Sequence, residues 1–117
     1  MQPQDLIAYV DVDDTLVRST GATRIPIPAA VAHVRHLHDS GVTLYCWSAG
    51  GGDYARESAR ELGLEDVFTG FLPKPHLMVD DQPADQWPHL VVAGPMGLAS
   101  KTVDDHIEAL ARRRRAD

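Results

Sequence analysis

Apolar and polar positions along the chain alternate between two periods, and the switches between them mark the elements. Residues 6–11 (LIAYVD) form a short apolar run closed by an acid, the pattern of a buried strand. Residues 19–28 carry Gly21, Pro26 and Pro28, which predicts a loop or small flap, with Pro28 suited to the first turn of a helix. Ala30, Val31, Val34 and Leu37 then recur at helical spacing until Gly41 stops the run. Residues 42–47 (VTLYCW) are rich in β-formers and read as a second strand. A glycine turn at 50–52 follows, with Asp53 as the expected cap of a helix running through Leu62 and ending at Gly63. Residues 67–71 read as a short third strand, 76–80 (HLMVD) as a fourth and 89–93 (HLVVA) as a fifth. Thr102 and Asp105 have the spacing of a capping box opening a last helix from 103 to about 113.

Strands separated by helices imply parallel pairing through right-handed crossovers. The expected architecture is therefore a doubly wound, Rossmann-like α/β sheet of about five strands with helices on both faces. No repeat, linker or change in composition divides the 117 residues, so a single domain over 1–117 is expected.

Composition adds exclusions. With 44% hydrophobic and 24% charged residues, the chain is neither collagen-like, coiled-coil nor low-complexity. Its apolar runs fall far short of the ~18 residues that cross a bilayer, so no membrane partner is expected. No basic stretch precedes the first apolar run, which argues against a secretory signal and for a soluble, cytoplasmic protein. The net charge is −6, and four of the eleven basic residues are confined to positions 112–115. So acidic a body disfavours nucleic acid as a partner, except as a phosphorylated end, and suits carboxylates gathered about a cation. Cys46, the only cysteine, has no partner for an intrachain disulfide and is expected to be a buried small hydrophobe.

In a parallel sheet the ligand lies beyond the carboxyl ends of the strands. Three of the predicted ends are polar. The first carries Asp11, Asp13, Asp14 and Thr15; the second carries Ser48, Ala49 and the glycines from Gly50; the fourth carries Asp80 and Asp81, with Lys74 between two prolines just before it. Asp11 and Asp13 share the i, i+2 spacing that puts two side chains on one side of an extended segment. Adding Asp80 and Asp81 places four carboxylates in a small volume, where some must protonate unless a cation is present. Hard oxygen ligands alone favour Mg2+ over zinc, and Mg2+ shares its remaining positions with water and phosphate. The amides following Ser48 sit at a helix start, a ready anion site, and Lys74 adds positive charge. Carboxylate, cation and anion cradle point to phosphoryl transfer.

In these motifs the sequence resembles the haloacid dehalogenase-like hydrolase superfamily, most members of which are magnesium-dependent phosphatases. The first motif matches AYVDVDDTLV, the second LYCWSAGGG, and the third and fourth together LPKPHLMVDD, covering residues 6–82. The resemblance implies that Asp11 is the nucleophile, forming an aspartyl-phosphate, and that Asp13 protonates the leaving oxygen and then activates water. It implies Mg2+ held by the Asp11 side chain, the Asp13 carbonyl and Asp80, with Asp81 helping directly or through water. Ser48, with the amides of Ala49 and Gly50, would bind the phosphoryl oxygens, Lys74 would neutralise charge, and Thr15 would support the loop. Two departures stand out: Asp14 replaces the commoner Gly, and Lys74 precedes Asp80 by only six residues. With 32 residues between Thr15 and Ser48, no cap domain fits. A capless member has an open cleft and takes small or macromolecular phosphorylated substrates, or borrows a second copy in a homo-oligomer as its lid.

Two other readings stand beside this one. A catalytically silent relative that binds phosphate or a partner would be expected to lack the nucleophile or the acid, and both are present. A phosphoacceptor receiver domain has its acceptor Asp before the Ser/Thr and Lys, whereas here Ser48 and Lys74 precede Asp80. Elsewhere the plainer interpretation is preferred. His33, His36 and His38 are expected on a solvated helix face, Trp47 and Trp87 in packing, and residues 112–115 in a frayed last turn.

Overall fold

A computed structural model describes residues 1–116. Chain order is β1 (Ile7–Asp11), β2 (Val17–Thr20), β3 (Thr23–Pro26), α1 (Pro28–Asp39), β4 (Thr43–Ser48), α2 (Gly52–Glu61), β5 (Gly70–Pro73) and α3 (Val103–Ala116). Both early helices obey their sequence signals. Pro28 opens α1, and Gly41, at φ 101°, takes the left-handed turn beyond its end. Gly63, at φ 69°, does the same after α2. The start of α2 differs from expectation: Gly51 is its N-cap, and Asp53 lies in the first turn without a capping bond. There its charge still favours the helix N-terminus. The expected flap is a β-hairpin, β2 and β3 pairing antiparallel around the turn at Gly21.

β1, β4 and β5 form one parallel sheet in that spatial order. The third strand lies slightly later than expected, because residues 65–67 wind into a 3-10 turn first. The expected fourth and fifth strands, at 76–80 and 89–93, are absent: neither segment joins a sheet. Parallel neighbours need a crossover of about a dozen residues or more. Only two residues separate Pro73 from His76, and eight separate Asp80 from His89. Leu77, Val79 and Val92 consequently stay exposed.

That shortfall also removes the expected helices on both faces. The moves from β1 to β4 and from β4 to β5 run in the same direction across the sheet, so right-handed crossovers place α1 and α2 on one side. A helix on the other side requires the strand order to reverse, which needs the missing strands. The covered face holds Leu44 and Cys46 of β4, both fully buried with Val12, Leu16, Ala55, Ala59 and Leu64. On the uncovered face Ile7 is 64% and Tyr9 49% exposed, and Tyr9 meets the Trp47 ring edge-on at 4.9 Å. The fold is a small α/β sheet wound on one side.

α3 meets α1 through His106 and the Val103 amide. Its start is capped as the sequence implies, Asp105 accepting the Thr102 amide at 2.8 Å. The helix runs on to Ala116, past the expected end near 113, and the Arg113 guanidinium donates to the carbonyls of Asp85 and Trp87. Two of the three histidines depart from the solvated face expected of them, while His38 is exposed as expected. His33 is buried, with its Nε2 2.7 Å from Nε2 of His106 on α3, and His36 Nε2 accepts the Val103 amide at 3.0 Å.

Burial lowers the pKa values of His33 and His106, and the neighbouring His36 and Lys101 push both in the same direction, against a smaller opposing pull on His106 from Asp105. The unfolded chain therefore binds more protons than the folded one once pH falls below the ordinary histidine value near 6.5. Stability is expected to be full above that value and to fall as pH drops from it through the depressed folded values. Urea midpoints at pH 7.5 and 5.5 measure this, and His106→Gln should flatten the difference.

Candidate active site

The carboxyl ends of β1, β4 and β5 share one edge of the sheet, where Asp11 registers with Trp47 and Ser48 with Pro73. Asp11 closes β1 with both carboxylate oxygens engaged. Oδ1 lies 3.3 Å from the Lys74 ammonium, and Oδ2 accepts the Thr15 hydroxyl at 3.2 Å. Thr15 reaches back because the chain turns tightly after β1. The Val12 carbonyl accepts the amides of Thr15, Leu16 and Val17, and fully buried Val12 and Leu16 anchor that turn in the core. Asp14 takes φ 62°, a left-handed conformation that Asp tolerates better than most residues.

Ser48 ends β4 and is almost fully buried. Its Oγ accepts the Gly50 amide at 3.0 Å, which leaves the hydroxyl proton free to donate. The Ser48 carbonyl accepts the amides of Gly51 at 3.1 Å and Lys74 at 2.9 Å. This second bond pins Lys74 beside Asp11, with its Nζ 5.9 Å from the centre of the Trp47 ring. Ala49 and Gly50 are exposed at the start of α2. Gly50 is needed for contact: an added Cβ would sit 2.9 Å from the Tyr54 ring.

Asp13 is joined by a partner that sequence reasoning missed. The Tyr54 hydroxyl, from α2, donates to Asp13 Oδ1 at 2.8 Å. Arg24 of β3 stacks over the Tyr54 ring at 5.2 Å, bonding Ser58 and Glu61 of α2 at 3.0 and 3.1 Å. Cys46, two residues before Ser48 on β4, takes no part: burial, with a further push from Asp11, raises its thiol pKa to about 12. Thiolate chemistry is thereby disfavoured.

The edge therefore joins Asp11, Lys74, Ser48 and the Asp13 loop. It does not gather the acids of the expected fourth strand. Asp80 is exposed and turned onto its own loop, Oδ1 accepting the Gln82 amide at 3.0 Å, and that amide first, with Asp81 next, lowers its pKa. Among the described residues no three His, Cys, Asp or Glu side chains stand together as a ready metal cage. The hard oxygens at the end of β1 nonetheless suit magnesium, which needs only one or two carboxylates beside water and phosphate. The Asp11 carboxylate and the Asp13 carbonyl are of that kind. No family model, no curated protein and no solved structure matches this chain.

Proposed function

We propose that the chain is a capless haloacid dehalogenase-like phosphatase, hydrolysing a phosphate monoester with Mg2+ through an aspartyl-phosphate. The observation that carries this reading is the Asp11–Lys74 pair at 3.3 Å, formed by residues 63 positions apart at the carboxyl ends of two strands. The Asp11 carboxylate attacks phosphorus while the ester oxygen leaves with a proton from Asp13. Water then attacks the acyl phosphate, giving its proton to Asp13, so inorganic phosphate departs and both carboxyl groups return to their starting states. Lys74 offsets charge on the nucleophile and the phosphoryl oxygens, and the Ser48 hydroxyl with the amides of Ala49 and Gly50 supplies donors to those oxygens.

Bound magnesium would supply Lewis-acid stabilisation of the phosphoryl oxygens. Asp11 and the Asp13 carbonyl would hold it, with water and the phosphoryl group beside them; Asp80 and Asp81, which stand apart from that edge here, would join only by a movement of the loop after β5. Their position in the loop after β5 favours one second reading, a relative that binds phosphate without turning it over. Purified protein with an aryl phosphate and Mg2+ separates the two: release of inorganic phosphate supports the enzyme, and binding without release supports the silent relative. Asp13→Asn should slow hydrolysis of alkyl phosphates by about 10²–10⁴-fold and affect activated aryl esters far less. Equal losses on both would remove Asp13 from its role.

A further inference from the structure

The group assigned as acid and base is not left free at the mouth of the cleft; it is held from α2, and α2 is held there from the hairpin. We infer that Tyr54, braced by Arg24, is a positioning residue that orients the Asp13 carboxyl group toward the leaving oxygen. This rests on the phosphatase reading for its kinetic consequence, though not for its structural one.

Three contacts carry it. The Tyr54 hydroxyl donates to Asp13 Oδ1 at 2.8 Å, fixing one oxygen and leaving Oδ2 for the substrate. The Tyr54 ring fills the position where Gly50 would carry a Cβ, its nearest atom 2.9 Å away, so the same side chain also bounds the anion loop. Arg24 stacks over the ring at 5.2 Å, and its two bonds to Ser58 and Glu61 hold that stack to α2. Hairpin, anion loop and acid thus meet in one side chain. An exposed carboxylate on a turn otherwise samples several rotamers, and a proton donor counts only in the geometry that reaches the leaving oxygen. Asp13 gains that geometry from a residue 41 positions away.

The test uses the full chain in two arms. In the first, Tyr54→Phe should lower kcat for an alkyl phosphate about tenfold, the order of a lost hydrogen bond to a charged group, with KM unchanged. An activated aryl phosphate, which needs little protonation, should lose less than twofold. Arg24→Ala should reproduce the split more weakly, and the double variant should be no slower than Tyr54→Phe alone. Equal loss on both substrates would make Tyr54 a purely structural residue and overturn the inference.

The second arm needs no activity. Urea midpoints of Tyr54→Phe, Asp13→Ala and their double variant form a thermodynamic cycle, each single change removing one partner of the hydrogen bond. The second substitution should shift the midpoint much less in the presence of the first. Full additivity would show that the two side chains do not interact and would also overturn the inference. Absence of phosphatase activity in the unmodified protein, with coupling intact, would instead strike at the phosphatase reading alone.

Discussion

Asp11→Asn should abolish phosphate release, by at least about 10⁴-fold given what removal of a catalytic nucleophile costs elsewhere, while leaving the fold intact. The substitution keeps the side chain's volume and its ability to accept the Thr15 hydroxyl, now 3.2 Å from Oδ2. It removes the charge that pairs with Lys74 and the lone pair that would attack phosphorus. Because Asp11 is partly exposed, the lost ion pair should cost little stability. Unfolding curves of the two proteins should therefore nearly superimpose while their activities do not. A variant retaining a tenth of the activity would mean that water, not Asp11, attacks the ester.

Withdrawal of magnesium is the second large effect expected. A chelator should bring hydrolysis to background, and added Mg2+ should restore it, because Lys74, the Ser48 hydroxyl and a few amides are too little to offset the charge on a phosphate dianion beside Asp11. Calcium should restore it poorly, since it prefers six to eight ligands at longer distances and does not hold the same compact geometry. Lys74 alone provides one positive charge at the site, less than a monoester dianion together with the Asp11 carboxylate requires. Activity indifferent to chelation would assign the electrostatic work to Lys74 and the α2 amides alone.

The sequence carried much of this arrangement in local signals. Proline at the start of α1, glycines after α1 and α2, and the β-branched and aromatic run of β4 set those elements within a residue or two. Strand ends then placed Asp11 and Ser48 on one edge, because parallel strands share a direction; Lys74 joins them because β5 runs on to Pro73, not because it precedes a fourth strand. The two late strands failed for a reason that was also readable: runs separated by two or eight residues leave no room for a parallel crossover. Apolar character alone does not make a strand without a partner edge. His33 was misjudged in the same way. It stands three residues after Ala30 and four before Leu37, on the buried stripe of α1, and only its polar chemistry suggested solvent.

Tyr54 had no such signal. Its partner Asp13 is 41 positions distant, and Arg24 is in a segment whose sequence indicated only a flap. Contacts of that kind depend on how the hairpin and α2 are laid together by the core, through Leu16 and Ala55, rather than on any local pattern. Gly50 offered a partial clue, since a glycine run at a helix start implies close approach by something, without naming the side chain that approaches.

The most direct test is to quench the protein in acid during turnover of a ³²P-labelled monoester and map the labelled peptide. Label on the peptide containing Asp11, stable in acid and released by hydroxylamine, is the outcome expected of an acyl phosphate on that carboxylate. Turnover with no label at any time point, or label on a serine instead, would contradict covalent transfer to Asp11.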